Sequence, residues 1–190
     1  MLAEVMHAAA YRAYRLRLQA ALHIPLDATA QEIHQLIAAG FSSTRVEWFY
    51  TRGAFIAAAL NQIMSLKALR GRVACRERLT LGESDRLYRL AHVTAMAEVL
   101  FGDEQKAWRW LCKPKQRFAG QSPLALLSTS PGTQLVEELL IQVAEGMVLE
   151  GGHIPVLLGA LILAGRLMSP ATVDSTGRCN RLAALAYGSW

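Results

Sequence analysis

Apolar residues recur along most of this chain at the three- and four-residue spacing of amphipathic α-helices. Long stretches in which β-branched and polar residues alternate, as half-buried strands require, are absent. Ala and Leu are the dominant apolar residues, and both favour the helical conformation. We therefore predict an all-α protein.

The first fifty residues predict three helices, whose ends are marked by residues that cap or break a helix. Pro25 ends the first helix, because the residue before a proline avoids the helical conformation. Thr29 can cap the second helix, and Gly40 suits the position just after its last turn. The predicted helices cover residues 2–22, residues 30–39, and a stretch from Ser42 or Ser43 to about residue 53.

Two further helices follow in close succession, over residues 56–64 and 66–74, with Ser65 as the N-cap of the second. Because so few residues separate them, they should cross at a steep angle, which is typical of a helix-turn-helix. Gly71 lies inside the second helix, where glycine costs about 1 kcal/mol relative to alanine.

The second of these helices has a basic face. Leu66, Leu69 and Val73 share one side of it, so the other side can present cations. Such a helix can enter the major groove of DNA, where its cations could read guanine edges or hold phosphates. The same charges also fit a solvated face that binds nothing. The predicted DNA-binding residues are Ser65, Lys67, Arg70, Arg72 and Arg76.

Residues 79–149 carry the clearest helix signals. Thr80 and Glu83 match a capping box, in which each residue satisfies a free amide of the other. Gly102 and Asp103 mark the junction between two helices. The predicted helices cover residues 81–101, residues 104–112, a short stretch opened by Pro123, and residues 131–144.

The composition excludes a disordered chain and favours a reducing compartment. Of 190 residues, 53% are hydrophobic and 18% are charged, which is enough apolar material for a core. The net charge of +5 is weak evidence for an acidic partner.

Cys75, Cys112 and Cys179 are an odd number of widely spaced thiols without a zinc-ligand spacing. Since the N-terminus also lacks the pattern of a signal peptide, we predict a cytoplasmic protein.

No residue pattern in the chain predicts catalysis. The five histidines are scattered, and none lies at the ligand spacing of a zinc site. His92 fits a packed or surface histidine. Glu137 and Glu138 are adjacent, so they point apart and do not form an acid–base pair. We predict that the protein is not an enzyme and uses no metal or cofactor.

A series of short motifs runs in order through residues 83–146. It comprises Glu83-Ser84-Asp85-Arg86-Leu87, Phe101-Gly102-Asp103, Trp110-Leu111 with Pro114, Gly120 with Ser122-Pro123-Leu124, Leu126-Leu127, Thr129, Gly132, Val136 and Glu145-Gly146. In order and spacing this series resembles the C-terminal domain of the Xre/MbcA/ParS antitoxins, the partners of RES-domain toxins. Residues 16–78 resemble the Xre-like N-terminal half of that family more weakly.

The resemblance implies two all-α domains and two binding functions. Residues 1–78 would be an Xre-like helix-turn-helix domain that dimerises, binds operator DNA and represses its own operon. Residues 79–149 would be a small helical domain that occludes a RES-domain toxin, an enzyme that depletes NAD. The resemblance also implies a homodimer and a larger toxin–antitoxin complex. The alternative is a toxin-neutralising module that has lost DNA binding.

The candidate toxin surface combines an aromatic anchor with a basic loop. Trp108 and Trp110 are two residues apart and face different directions, so one fits the core and the other an interface. The cations after them fit a solvated charge run, an acidic toxin surface or the DNA backbone. The resemblance places the end of the domain near the toxin's active site. The predicted toxin-binding residues are Trp110, Lys113, Lys115, Arg117, Glu145, Met147 and Leu149.

Residues 150–190 depart from the family pattern, whose members typically end soon after the turn at Glu145-Gly146. Residues 154–168 are nearly all apolar. About 15 residues are too few to span a bilayer, which takes about 20, so we predict no membrane association. The extension fits either a natural, poorly ordered hydrophobic tail or the product of a changed reading frame.

Overall fold

The computed structural model describes residues 8–51, 61 and 63–145. Its α-helices are Ala8–Leu22 (α1), Ala30–Ala39 (α2), Ser43–Thr51 (α3), Leu66–Ala74 (α4), Leu81–Phe101 (α5), Glu104–Cys112 (α6), Pro123–Leu126 (α7) and Ser130–Ala144 (α8), with a 3-10 turn at Gln116–Phe118. Across the described ranges, β-pairing is confined to one isolated bridge between Ser42 and Arg78. The predicted all-α class is confirmed.

Local capping sets several helix boundaries where the sequence predicted them. Thr29 and Thr80 each form a capping box with the glutamate three residues later. The last helix begins at Ser130, one residue before its predicted start, and its N-cap is Thr129. The Thr129 hydroxyl accepts a hydrogen bond from the Gly132 amide at 3.2 Å.

α5 is the central helix of the fold. α1 and α2 pack against it from the N-terminal half, and α6 and α8 pack against it from the C-terminal half. Its middle is therefore buried on most sides. Its buried apolar residues are Leu87, Leu90, Ala91, Val93, Ala95, Met96 and Ala97.

The two halves of the described chain share one hydrophobic core. The predicted boundary after residue 78 falls in the connection between α4 and α5. It does not separate two cores. The division into a DNA-binding stretch and a toxin-binding stretch therefore remains a prediction about function.

A tight crossing holds the α4–α5 connection against the turn that follows α2. The Leu79 amide donates to the Phe41 carbonyl at 2.8 Å. Gly40 has φ of +81°, and a Cβ atom there would collide with the Leu79 carbonyl oxygen. Glycine is required at residue 40 both by this backbone conformation and by the close approach.

Several predicted features lie outside the described residues. They are most of residues 56–64, Met147, Leu149 and residues 150–190. Among the helices that the structure does describe, none is both long and apolar enough to cross a membrane.

Candidate functional site

α4 combines a buried apolar face with an exposed basic face. Its N-cap is Ser65, whose hydroxyl accepts a hydrogen bond from the Ala68 amide at 3.2 Å. Leu69 is buried, and Leu66 and Val73 pack against the core beside it. The helix limits and the two faces predicted for this segment are confirmed.

Three of the predicted DNA-binding cations project from α4 and its exit into solvent. Lys67 and Arg70 lie on the exposed face of the helix, and Arg76 follows in the turn with φ of +52°. Within the part of the chain that the structure describes, their side chains form no hydrogen bond or ion pair. They are therefore available for phosphate oxygens or guanine edges.

Arg72 has a different environment from the other three cations. Its Nη1 atom lies 3.0 Å from Glu83 Oε2 and donates to the Arg78 carbonyl at 3.1 Å. The side chain is one-quarter exposed. Arg72 thus links α4 to the start of α5, which sequence spacing could not indicate because Glu83 belongs to the next helix.

Replacing Gly71 by alanine should raise the free energy of unfolding by about 1 kcal/mol. A Cβ atom at this position would have no heavy atom within 4 Å, and the glycine has ordinary helical geometry. Alanine therefore lowers the conformational entropy of the unfolded chain without a steric cost in the folded protein. Urea unfolding of the two proteins measures the difference, and an unchanged or lower midpoint would contradict a solvent-facing Gly71.

A second candidate surface is built around Trp110 on α6. Trp108 is buried in the core, whereas Trp110 is only partly buried, as the two-residue spacing predicted. The Trp110 ring lies 5.7 Å from the Phe101 ring, measured between centroids. The Lys115 ammonium group lies over the Trp110 ring, 4.7 Å from the ring centroid. This distance is typical of a cation–π interaction.

The basic loop after α6 is held in a closed turn by the backbone of Lys115. The Lys115 amide donates to the Gln121 carbonyl, and its carbonyl accepts from the Phe118 and Gly120 amides, each at 3.0 Å. Phe118 is buried beneath the turn. The turn therefore has a defined shape before any partner binds.

Burial divides the three cations of this loop into two kinds. Lys113 and Arg117 are exposed, as a solvated charge run requires. Lys115 is only 5% exposed and stacks on Trp110, so the solvated alternative is wrong for this residue. The Lys115 side chain therefore supports the Trp110 ring.

Glu145 is exposed and closes α8, where its amide donates to the Ile141 and Val143 carbonyls. Met147 and Leu149, the other two predicted residues at this end of the domain, lie outside the described residues. The structure therefore places five of the seven predicted toxin-binding residues.

A series of polar side-chain contacts, which the sequence did not indicate, links α1, α5 and α8. Tyr14 Oη lies 2.6 Å from His92 Nδ1, and His92 Nε2 lies 3.2 Å from Glu137 Oε1. The Tyr88 ring stacks on His92 at 5.8 Å. Burial raises the pKa of Tyr14 and of Tyr88, which keeps both phenols protonated. His92 is thus a packed histidine whose polar atoms have partners.

The described side chains do not form a metal site. No group of three or more histidine, cysteine, aspartate or glutamate residues in the described ranges is placed to hold a metal ion. The arrangement offers instead two surfaces for binding, one basic and one aromatic with flanking cations.

Comparison with known proteins found a matching family model and a similar protein. Residues 96–146 match the model of a family described as the antitoxin Xre/MbcA/ParS C-terminal toxin-binding domain. The chain is also 49% identical over 146 residues to a protein of Pseudomonas putida strain KT2440 named Antitoxin Xre. The aligned region covers 77% of this chain and 92% of that relative.

Proposed function

Because the chain belongs to the Xre/MbcA/ParS antitoxin family and is an antitoxin that binds a toxin, we propose that its toxin is a RES-domain protein and that α4 docks on operator DNA. The family is non-enzymatic, which agrees with the prediction made from the sequence. The two proposed binding surfaces are carried by different helices, α4 for DNA and α6 for the toxin.

The surface around Trp110 supports the toxin-binding part of the proposal. It lies within the residues that match the toxin-binding family model. A partly buried tryptophan with a pre-shaped basic loop beside it is typical of an interface anchor. Lys113 and Arg117 would contact acidic groups of the toxin, and Glu145 would contact the toxin from the end of α8.

The exposed basic face of α4 carries the DNA-binding part of the proposal. Lys67 and Arg70 project from a helix whose N-terminus is capped and whose opposite side is buried, so both lie on the side that faces away from the core. Docking of this face in a major groove would block transcription of the operon. A homodimer would place two such helices on a palindromic operator.

The proposed cellular location is the cytoplasm. Cys75 and Cys112 are free thiols, and such unpaired thiols persist in a reducing compartment.

Replacing Arg70 by alanine should weaken operator binding by about 1–3 kcal/mol, or roughly 5- to 150-fold. If Arg70 contacts a phosphate, the slope of log K against log salt should also fall by about 0.9, because one counterion fewer is released. Fluorescence anisotropy with DNA from upstream of the operon, titrated at several salt concentrations, measures both effects.

The matched control is Arg109→Ala, which removes an exposed arginine from α6 and should leave operator affinity unchanged. If the unmodified protein does not shift operator DNA but still binds the toxin, the protein is a toxin-neutralising module without DNA binding. A flat salt response of the unmodified protein would contradict docking on phosphates.

A further inference from the structure

The contacts of Glu83 join the start of α5 to α4. Glu83 Oε2 accepts hydrogen bonds from the amide and the hydroxyl of Thr80, both at 2.8 Å. The same oxygen atom lies 3.0 Å from Arg72 Nη1. One carboxylate oxygen therefore caps α5 and holds an arginine of α4 at the same time.

The connection between these two helices is anchored independently of that ion pair. The Phe41 amide donates to Ser84 Oγ at 3.0 Å in a buried hydrogen bond, and Arg78 Nη1 donates to the Ala39 carbonyl at 3.3 Å. These contacts hold residues 78–84 on the rest of the fold. None of these contacts involves a side chain of α4.

Arg72 supplies a side-chain contact from α4 itself to the connection and to α5. It lies in the last turn of α4 and bridges back across the connection, because Nη1 reaches both the Arg78 carbonyl and Glu83. Glu83 is only 16% exposed, so the pair is shielded from much of the screening that weakens surface ion pairs. Such a pair restricts how α4 pivots on the core.

We infer that Arg72 and Glu83 form a positioning pair that orients α4 for the groove, and that Arg72 does not itself contact DNA. The inference rests on the proposed operator binding and reassigns one of the predicted DNA-binding residues. A recognition helix must present its cations at a fixed angle, and a helix held in that angle before binding loses less entropy on docking.

The two possible roles of Arg72 predict opposite effects of replacing Glu83. If Arg72 were a phosphate contact, Glu83 would compete with DNA for its charge, and Glu83→Gln would tighten binding. If the pair positions α4, Glu83→Gln weakens binding even though it removes a negative charge. Glutamine is an accepted partner in a capping box, so the start of α5 is retained in this variant.

The test is operator affinity as a function of salt for Arg72→Ala, Glu83→Gln, the double variant and Arg70→Ala, all in the full chain. Each single variant at the pair should lose about tenfold in affinity, and the double variant should lose no more than either. The salt slope should be unchanged in these three and lower in Arg70→Ala. Tighter binding by Glu83→Gln, or a lower salt slope in Arg72→Ala, would overturn the inference.

A DNA-free measurement keeps the inference separate from the proposed operator binding. Spin labels on the exposed native Cys75 and on Arg86→Cys, with Cys112 and Cys179 replaced by alanine, report the distance between the end of α4 and α5. Arg72→Ala and Glu83→Gln should broaden this distance distribution. An unchanged distribution would refute the positioning role, whereas broadening in a protein that binds no DNA would refute only the operator proposal.

Discussion

Replacing Trp110 by alanine should weaken toxin binding by on the order of 100-fold, which corresponds to about 2.7 kcal/mol for an aromatic anchor. The ring is partly exposed, and it lies between Phe101 and the Lys115 ammonium group. Its removal would take away the contact surface and leave Lys115 without its aromatic support. Calorimetric titration with the purified cognate toxin, which we propose to be a RES-domain protein, measures the loss.

Leu135→Ala is the control for this experiment. Leu135 is 50% exposed on α8, whereas Trp110 is on α6, so its truncation removes exposed apolar surface from a different helix. It should leave toxin affinity within a few-fold of the unmodified protein. Equal losses in the two variants, or full affinity in Trp110→Ala with an intact fold, would contradict the proposed anchor.

Replacing Arg15 by alanine should lower the free energy of unfolding by about 3 kcal/mol, the scale of several charge-assisted hydrogen bonds lost together. Arg15 is 6% exposed. Its guanidinium donates to the carbonyls of Pro25, Leu26 and Ala28 at 2.7–2.9 Å and so holds the turn between α1 and α2. Urea unfolding measures the change.

Two further variants test the geometry of this guanidinium. Arg15→Lys should recover only part of the loss, because an ammonium group cannot reproduce the planar fork that reaches three carbonyls. Arg12→Ala removes an exposed arginine from the same helix and should change stability by less than about 0.5 kcal/mol. Equal destabilisation by Arg12→Ala and Arg15→Ala would show that helix propensity, and not the carbonyl contacts, explains the effect.

Local signals in the sequence predicted the helix boundaries well because capping is a local interaction. The limits 66–74, 81–101 and 104–112 follow from Ser65, Thr80 and Asp103, whose side chains accept hydrogen bonds from amides three residues later. The partners are neighbours in the chain, so the pattern of residues already contains the contact. The two-residue spacing of Trp108 and Trp110 likewise predicted that one fits the core and the other an interface.

The roles of the charged side chains depended on contacts that are distant in sequence. Arg12, Arg15 and Arg17 all lie in α1, and the sequence alone does not distinguish their roles. In the structure Arg12 is exposed, Arg15 bonds three carbonyls of the following turn, and Arg17 pairs with Glu98 at 3.0 Å. Arg72 and Lys115 likewise differ from the neighbouring cations, because Arg72 lies beside Glu83 and Lys115 lies on the Trp110 ring.

By itself, the sequence determined the helical class, most helix limits and the motif series that identifies the antitoxin family, since each depends on residues a few positions apart. Only the tertiary structure decided that α5 is buried on most sides, because that burial requires helices from both halves of the chain to pack around it. It also decided which cations are exposed for a partner and which support the fold. A guanidinium or ammonium group is exposed or engaged according to the carbonyl, carboxylate or ring that folding brings within a few ångströms of it.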